Sequence, residues 1–210
     1  MQQGSILLTG GSGRLGTELQ KHIRCDAPNS TKLNILNESD IWDYYGVDLV
    51  IHAAGYTNVV KAETDKEKCF LVNAEGTINL LKVFDTTPFV YISSEYAHHP
   101  VNYYAETKRV GELTVQAYSS KYLIIRTLFK ERPFPYDFAF FDQYTQGDYV
   151  DVIAELIAKA INEWDRKTCK TIYVGTGRKS ILKLAEQTKP TIAGCSARLV
   201  KGVTLPLDYE

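Results

Sequence analysis

Ser5-Ile6-Leu7-Leu8-Thr9-Gly10-Gly11-Ser12-Gly13-Arg14-Leu15-Gly16 is the stretch that decides how the rest of the chain is read. Ser5 to Thr9 is a short, mostly apolar run closed by glycine, which suits a buried strand. Leu15, Leu19 and Ile23 then fall four apart, on one helical face. Between strand and helix stand glycines at 10, 13 and 16. Gly10 permits a tight turn, Gly13 lets backbone N–H groups approach a pyrophosphate, and Gly16 allows close helix–strand packing. The helix start adds partial positive charge at the same place. A glycine-rich turn alone carries little weight. Set between a strand and a helix, this one predicts dinucleotide binding.

Working outward, Val47 to Ala54 reads as a second apolar strand, and Pro88 to Ser93 and Tyr122 to Arg126 as two more. Cys69 to Phe84 carries Phe70, Leu71, Ala74, Ile78, Leu81 and Phe84 at helical spacing, and a further helix is predicted from about Tyr104 to Tyr118. Strands alternating with helices predict βαβ units, hence an α/β protein with a doubly wound parallel sheet. Right-handed crossovers put every strand's carboxyl end on one edge, where ligands of such sheets bind. After Arg126 the style changes. Lys130 to Gln146 is aromatic and Pro-containing without a clear period, Val150 to Trp164 reads as an amphipathic helix, and Ile172 to Val174, a helix near Ser180 to Thr188, and Arg198 to Val200 complete the chain.

Composition narrows the functional classes. Of 210 residues, 24 are basic and 25 acidic, a near-neutral balance that gives no electrostatic reason to expect nucleic acid or an anionic membrane as partner. The longest apolar runs fall well short of a membrane helix, and Met1 to Gly4 lacks the basic leader of a signal peptide. The cysteines at 25, 69, 169 and 195 show no metal-binding spacing. Reduced thiols in a cytoplasmic protein, with no metal site, are the expectation. The pair His98-His99 reads as a solvated loop rather than a ligand, and His52 as a hydrogen-bonded core histidine.

Tyr104 and Lys108 stand four apart at the start of a helix, on one face, and Ser93-Ser94 closes the preceding strand at the ligand edge. Reduction of a carbonyl by hydride needs a proton for the nascent alkoxide. A free tyrosine, with a pKa of about 10, is a sluggish acid at neutral pH. A nearby cation lowers that pKa, and a serine hydroxyl can hold the substrate oxygen. With 14 tyrosines in the chain, a lone Tyr-x-x-x-Lys would read as a surface helix pair. The order of phosphate loop, strand-end serine and Tyr-x-x-x-Lys outweighs that reading.

Those residues, with His52 to Thr57, Val72 to Thr77, Tyr91 to Tyr96, Tyr104 to Glu112 and Ile125-Arg126-Thr127, resemble the extended short-chain dehydrogenase/reductases, and among them the dTDP-4-dehydrorhamnose reductases. The resemblance covers about the first 130 residues well. It implies a Rossmann-type dinucleotide-binding domain over 1–130 and an abbreviated substrate lobe over 131–210, packed as one unit. It implies Ser94 on the substrate carbonyl, Tyr104 as proton donor, and Lys108 lowering its pKa and holding the nicotinamide ribose. It also implies cofactor contacts from Gly10, Gly13, Arg14, Leu15 and Gly16, from Asn34 and Ile35 near the adenine, and from Ala53, Ala54 and Gly55 at the end of the fold's fourth strand. Tyr56, Glu95, Phe129 and Lys130 are candidate substrate contacts, and Asn73 is a structural link.

The implied activity is NAD(P)H-dependent reduction of a nucleotide-linked 4-keto sugar. A sugar-nucleotide epimerase with retained NAD, and a non-catalytic NAD(P)-binding regulatory subunit, are the alternatives. Ser94-Glu95-Tyr96 lacks the second acid of the related 4,6-dehydratases, which disfavours dehydration. NAD binders place an acid about 20 residues past the first glycine. Here that region reads Asn29-Ser30-Thr31-Lys32, which suits a 2′-phosphate, so NADP(H) is expected ahead of NAD(H), with Arg14 and Lys32 as its ligands. A homodimer follows by analogy only. The loop from Glu95 to Tyr103 and the C-terminal lobe are shorter than the family's.

Overall fold

The computed structural model describes residues 5–209, so the reading of Met1 to Gly4 lies outside it. The first strand, β1 (Ile6–Thr9), is wholly buried, and the glycine turn leads directly into helix α1 (Arg14–Leu19). The chain then returns to the outer side of β1 at one point. Leu8 N donates to Asp26 O, and Asp26 N to Ile6 O, both at 2.8 Å. The second strand of the fold is thus reduced to a single parallel bridge. After α2 (Glu38–Trp42), strand β2 (Leu49–His52) lies on the opposite side of β1. The reversal of direction at β1 is a topological switch point, and the glycine loop sits at its carboxyl end. Ala53 therefore follows the second complete strand of the chain, or the third if the Asp26 bridge is counted, and not a fourth as expected.

Short helices α3 (Val59–Ala62) and α4 (Lys66–Phe70) lead through a π turn (Leu71–Glu75) into α5 (Gly76–Val83). The regular helix expected from Cys69 to Phe84 is interrupted at that turn. Strand β3 (Phe89–Ser94), helix α6 (Tyr103–Tyr118) and strand β4 (Tyr122–Thr127) follow, close to the expected bounds. The aromatic segment then forms four very short strands: β5 (Phe129–Lys130), β6 (Phe138–Phe140), β7 (Tyr144–Thr145) and β8 (Asp148–Tyr149). Helix α7 (Val150–Glu163), strands β9 (Lys170–Tyr173) and β10 (Lys179–Ser180), helix α8 (Ile181–Glu186) and strand β11 (Ala193–Cys195) complete the regular elements. Arg198 falls in a 3-10 turn, Ala197–Leu199.

The main sheet runs β1-β2-β3-β4-β9, parallel throughout. Adjacent strand residues point to opposite faces, and both faces of β1 to β4 are covered, so these strands are largely apolar, whereas the edge strand β9 is mostly exposed. Leu8, Ile51, Val90 and Ile125 pack against Leu15 and Leu19 of α1 and Ile153, Ile157 and Ile161 of α7. Leu7, Val50, Phe89 and Ile124 pack against Ile41, Leu80, Phe84 and Val115 of α2, α5 and α6. This is the doubly wound Rossmann-type sheet expected from the alternation.

A third cluster joins Phe134, Ala139, Tyr149, Ile181, Leu184 and Ala185 outside the sheet. Residues 131–210 nevertheless do not form one separate body. Helix α7 covers a face of the main sheet and β9 is its edge strand, so the chain re-enters the sheet after 149. The segments that stand apart are β5 to β8 and the residues after β9. Among the described residues, no helix is long and apolar enough to cross a membrane, and all four cysteines are free.

Ile157 is fully buried at the α7–sheet contact. Ile157→Ala is expected to lower unfolding stability by about 2–5 kcal/mol, the range for a large-to-small change in a closed core. Urea unfolding measures this, and a loss below about 1 kcal/mol would place α7 outside the core.

Candidate active site

The site is assembled at the carboxyl ends of β1, β2 and β3. Gly10 has φ +74°, and a Cβ there would stand 2.6 Å from Ala54 N, so the turn admits no side chain. A Cβ on Gly16 would come 2.2 Å from Gly10 O, which explains why the helix can seat so close beneath the loop. Gly13 N donates to Gly10 O at 2.9 Å, and Gly13 occupies the N-cap of α1. Arg14 extends outward to Glu131, Nε to Oε1 2.8 Å, while the side chain of Leu15 belongs to the core.

Beneath the loop runs a buried chain of hydrogen bonds. Thr77 Oγ1 donates to Asn73 O at 2.9 Å, so it accepts from His52 Nε2 at 3.1 Å. His52 Nδ1 then accepts from Thr9 Oγ1 at 2.7 Å, and Thr9 Oγ1 accepts from Ala54 N at 3.3 Å. Burial, with the nearby Lys108 charge, depresses the His52 pKa to about 3, so the ring is a neutral structural link as expected. Asn73, in the π turn, accepts from Tyr56 N at 2.8 Å and donates to Tyr56 O and Thr107 Oγ1. It fixes the backbone that follows Ala53, Ala54 and Gly55. The Tyr56 phenol donates to Asp65 at 3.3 Å.

Helix α6 begins where Asn102 Oδ1 accepts from Ala105 N at 2.9 Å. Tyr104, Lys108 and Glu112 fall at four-residue spacing along it, on one face. Glu112 is fully buried and bound on two sides. Arg126 Nε donates to its Oε1 at 2.8 Å and Nη2 to its Oε2 at 2.7 Å. Ser93 Oγ donates to Oε1 at 2.7 Å, and Arg109 Nη1 to Oε2 at 2.9 Å. Burial alone would raise the Glu112 pKa, but these four donors hold it below the usual carboxylate range.

Ser94, next to Ser93, accepts from Tyr96 N at 3.2 Å, and its hydroxyl favours the phenolate of Tyr104. Burial pushes the Tyr104 pKa up to about 12 even though the Ser94 contact favours phenolate. Lys108 Nζ donates to Ile92 O at 2.8 Å and lies 4.2 Å above the Tyr91 ring. Burial brings its pKa down to about 7 against the pull of Glu112. The expected lowering of the Tyr104 pKa by Lys108 is therefore not what these positions produce. Desolvation is the largest influence on both groups, and the phenol keeps its proton at neutral pH.

The remaining candidates fall into separate roles. Asn34 Oδ1 accepts from Leu36 N, and the Ile35 side chain lies in the core against α5. Glu95 is buried and accepts from Thr145 Oγ1 at 2.6 Å and Gln146 N at 3.3 Å, so it ties the end of β3 to β7 instead of facing open space. Burial raises its pKa to about 7. Phe129 packs against the main core, and Lys130 Nζ lies 5.5 Å from the Tyr136 ring centroid. Burial and the Arg14 charge bring the Lys130 pKa down to about 8. Sequence reasoning missed Glu112 and Arg126. The Tyr-x-x-x-Lys-x-x-x-Glu spacing was a visible signal, but its arginine partner is set by strand register, Ser93 opposite Arg126.

A parallel, doubly wound sheet with a glycine loop at its switch point and a Ser/Tyr/Lys set on the same edge defines a dinucleotide-fold protein. The model of the RmlD substrate binding domain family matches residues 4–158, and the chain belongs to that family. It is 30% identical over 153 residues to the dTDP-4-dehydrorhamnose reductase of Escherichia coli K12, covering 59% of this chain and 50% of that protein. It is 25% identical over 148 residues to the spore coat polysaccharide biosynthesis protein SpsK of Bacillus subtilis, covering 58% and 52%. The chain thus spans about half the length of the curated relatives it matches. Its fold is similar to a dTDP-4-dehydrorhamnose reductase from Bacillus anthracis in complex with NADP, with TM-score 0.85, 22% identity, and coverage of 100% of this chain and 89% of that one. A hypothetical dTDP-4-dehydrorhamnose reductase from Sulfolobus tokodaii superposes with TM-score 0.79 at 25% identity, over 98% and 90%.

A lysine buried as Lys108 is titrates near pH 7 and not in its ordinary range near 10.5. Carbon NMR of the lysine Cε resonances is expected to show a transition near pH 7, absent in Lys108→Met, beside that of Lys130 near 8, which the variant keeps. Titration of every lysine only above about pH 9 would contradict the burial argument.

Proposed function

We propose that the chain is an NAD(P)H-dependent reductase of a nucleotide-linked 4-keto sugar. The observation that carries this reading is the placement of Ser94 at the end of β3 and Tyr104 at the start of α6, on the sheet edge that also holds the glycine loop, with Lys108 one helical turn further along α6. The reductase names of the relatives support reduction over epimerisation and over a non-catalytic role.

The loop fits a dinucleotide. A Cβ on Gly13 would meet only Gly10 O, at 3.1 Å, which leaves the outer face of the turn open to a diphosphate. A Cβ on Gly55 would stand 3.2 Å from Asn73 Oδ1 and 4.0 Å from Lys108 Nζ, so the bare backbone there leaves space at the lysine. Gly10, Gly13, Arg14, Leu15 and Gly16 would hold the diphosphate, Asn34 and Ile35 would flank the adenine, and Ala53 to Gly55 with Lys108 would flank the nicotinamide ribose. A bound nicotinamide supplies the hydride. Ser94 orients the carbonyl oxygen, and Tyr104, protonated at neutral pH, donates its phenolic proton to that oxygen as it becomes alkoxide. The Lys108 ammonium stabilises the phenolate left behind, which is why its charge matters more during the reaction than before it.

The reduced form is read as NADPH. The segment that follows the shrunken second strand, Asn29 to Lys32, is neutral to basic and so suits a 2′-phosphate. Arg14 and Lys32 are the cations available to a 2′-phosphate. The substrate would enter between the sheet edge and the segments β5 to β8 with the residues after β9. Tyr56 and Lys130 would contact it there, and a homodimer is proposed by the family's analogy.

Tyr104→Phe is expected to reduce NADPH oxidation with a nucleotide-linked 4-keto sugar by about a hundredfold or more, the usual share of a general acid. Its NADPH affinity, read by fluorescence titration, should stay within about twofold, since one exposed ligand contact at most is altered. Turnover equal to the unaltered protein would end the assignment.

A further inference from the structure

The nine residues from Glu95 to Tyr103 join Ser94 to Tyr104, and their two ends are firmly tied. At one end Glu95 holds Thr145, and the Tyr96 phenol accepts from Gln143 Nε2 at 3.1 Å. At the other, Asn102 Nδ2 donates to Thr204 O at 2.9 Å, and Tyr103 N donates to Glu63 Oε1 at 2.8 Å. The middle, His98 to Val101, is exposed. Among the described residues, its side-chain hydrogen bond to the body of the protein is from Arg126 Nη1 to His98 Nδ1, at 2.9 Å.

We infer that His98 is a positioning residue, which pins the middle of this loop to the buried Glu112–Arg126 pair and so orders the stretch that joins Ser94 to Tyr104. The pin is built on a rigid base. Arg126 is itself buried, and its other donors are taken up by both Glu112 oxygens, with Nη1 shared with the Tyr173 hydroxyl at 3.3 Å. The guanidinium has no acceptor atom, so His98 Nδ1 must present a lone pair and carry its proton on Nε2. An imidazolium would set N–H against N–H and charge against charge.

Burial disfavours the charged form of His98 most, and all but one of the charges facing it act in the same sense. Arg126 on β4, His99 on the loop and Arg109 on α6 disfavour its charged form, Glu112 on α6 opposes them, and the Tyr173 ring on β9 packs edge-on at 6.2 Å. With burial added, the net effect lowers the His98 pKa below its ordinary 6.5. A lowered pKa favours the neutral ring in the pinned loop. The pin is therefore fully present above the ordinary histidine pKa and is lost as pH falls through the lowered pKa of the pinned ring.

The inference rests on the assignment of Ser94 and Tyr104 above, but hydrogen exchange reads the loop without any turnover, so the two can fail separately. Exchange of the amides from 95 to 103, corrected for intrinsic rates, would be followed at about pH 8 and about pH 5, on either side of the histidine range. The unaltered protein is expected to lose about tenfold in protection at the lower pH, the worth of one hydrogen bond from a charged donor. His98→Asn keeps an acceptor and cannot titrate, and should stay protected at both. His98→Ala should show the lower protection at both. Equal protection of the unaltered protein at the two pH values, loss of protection in His98→Asn in step with it, or full protection in His98→Ala would each overturn the inference.

Discussion

Everything around the candidate site depends on one buried ion pair, Glu112 with Arg126. Two charges removed from water at the junction of α6, β3 and β4 are costly, and a buried pair holds only when geometry and further hydrogen bonds are good. Here both carboxylate oxygens take a guanidinium donor, and Ser93 and Arg109 supply the rest. The pair fixes which face of α6 meets the sheet. That face also carries Tyr104 and Lys108, and the residue after Ser93 is Ser94. A wrong rotation of α6 would leave Glu112 unpaired in an apolar interior, so the orientation of the site is enforced by the penalty for misplacing a charge.

A second constraint acts on the cofactor side. The glycine loop is closed by atoms that leave no room for side chains, at Gly10 against Ala54 and at Gly16 against Gly10. The Thr9–His52–Thr77–Asn73 chain locks β1 to β2 and to the π turn beneath that loop. Because each hydroxyl has its proton committed, the chain has one arrangement of donors and acceptors, and the histidine must stay neutral for it to persist. The two constraints meet at Lys108, whose charge depresses the His52 pKa and which Glu112 favours as ammonium.

Much of this was legible in the sequence, for physical reasons that can be named. Gly10, Gly13 and Gly16 report a steric requirement that no other residue meets. The leucines and isoleucines of β1, α1 and α7 report two-sided burial through their spacing. Tyr104 and Lys108 are local to one helix. What escaped was non-local. Arg126 shows its partner only through the register of β3 on β4, and Glu95 was read as a substrate contact when it is a strut to β7. The aromatic run from Lys130 to Gln146 forms strands of two or three residues, too short to show a period. The boundary at 130 followed the change of style in the sequence, whereas α7 and β9 return to the main sheet. The Tyr104 pKa was read from its neighbour in sequence, and burial, which sequence does not display, reversed its direction.

The central claim is that the glycine loop and the Ser94–Tyr104–Lys108 set belong to one site. A crystal structure with NADPH bound tests it most directly. The account predicts the diphosphate on the turn from Gly10 to Gly16 and the reactive face of the nicotinamide turned toward the Tyr104 phenol, with Lys108 on the adjoining ribose. A dinucleotide seated on the loop with its nicotinamide directed away from Tyr104, or bound elsewhere on the protein, would contradict it.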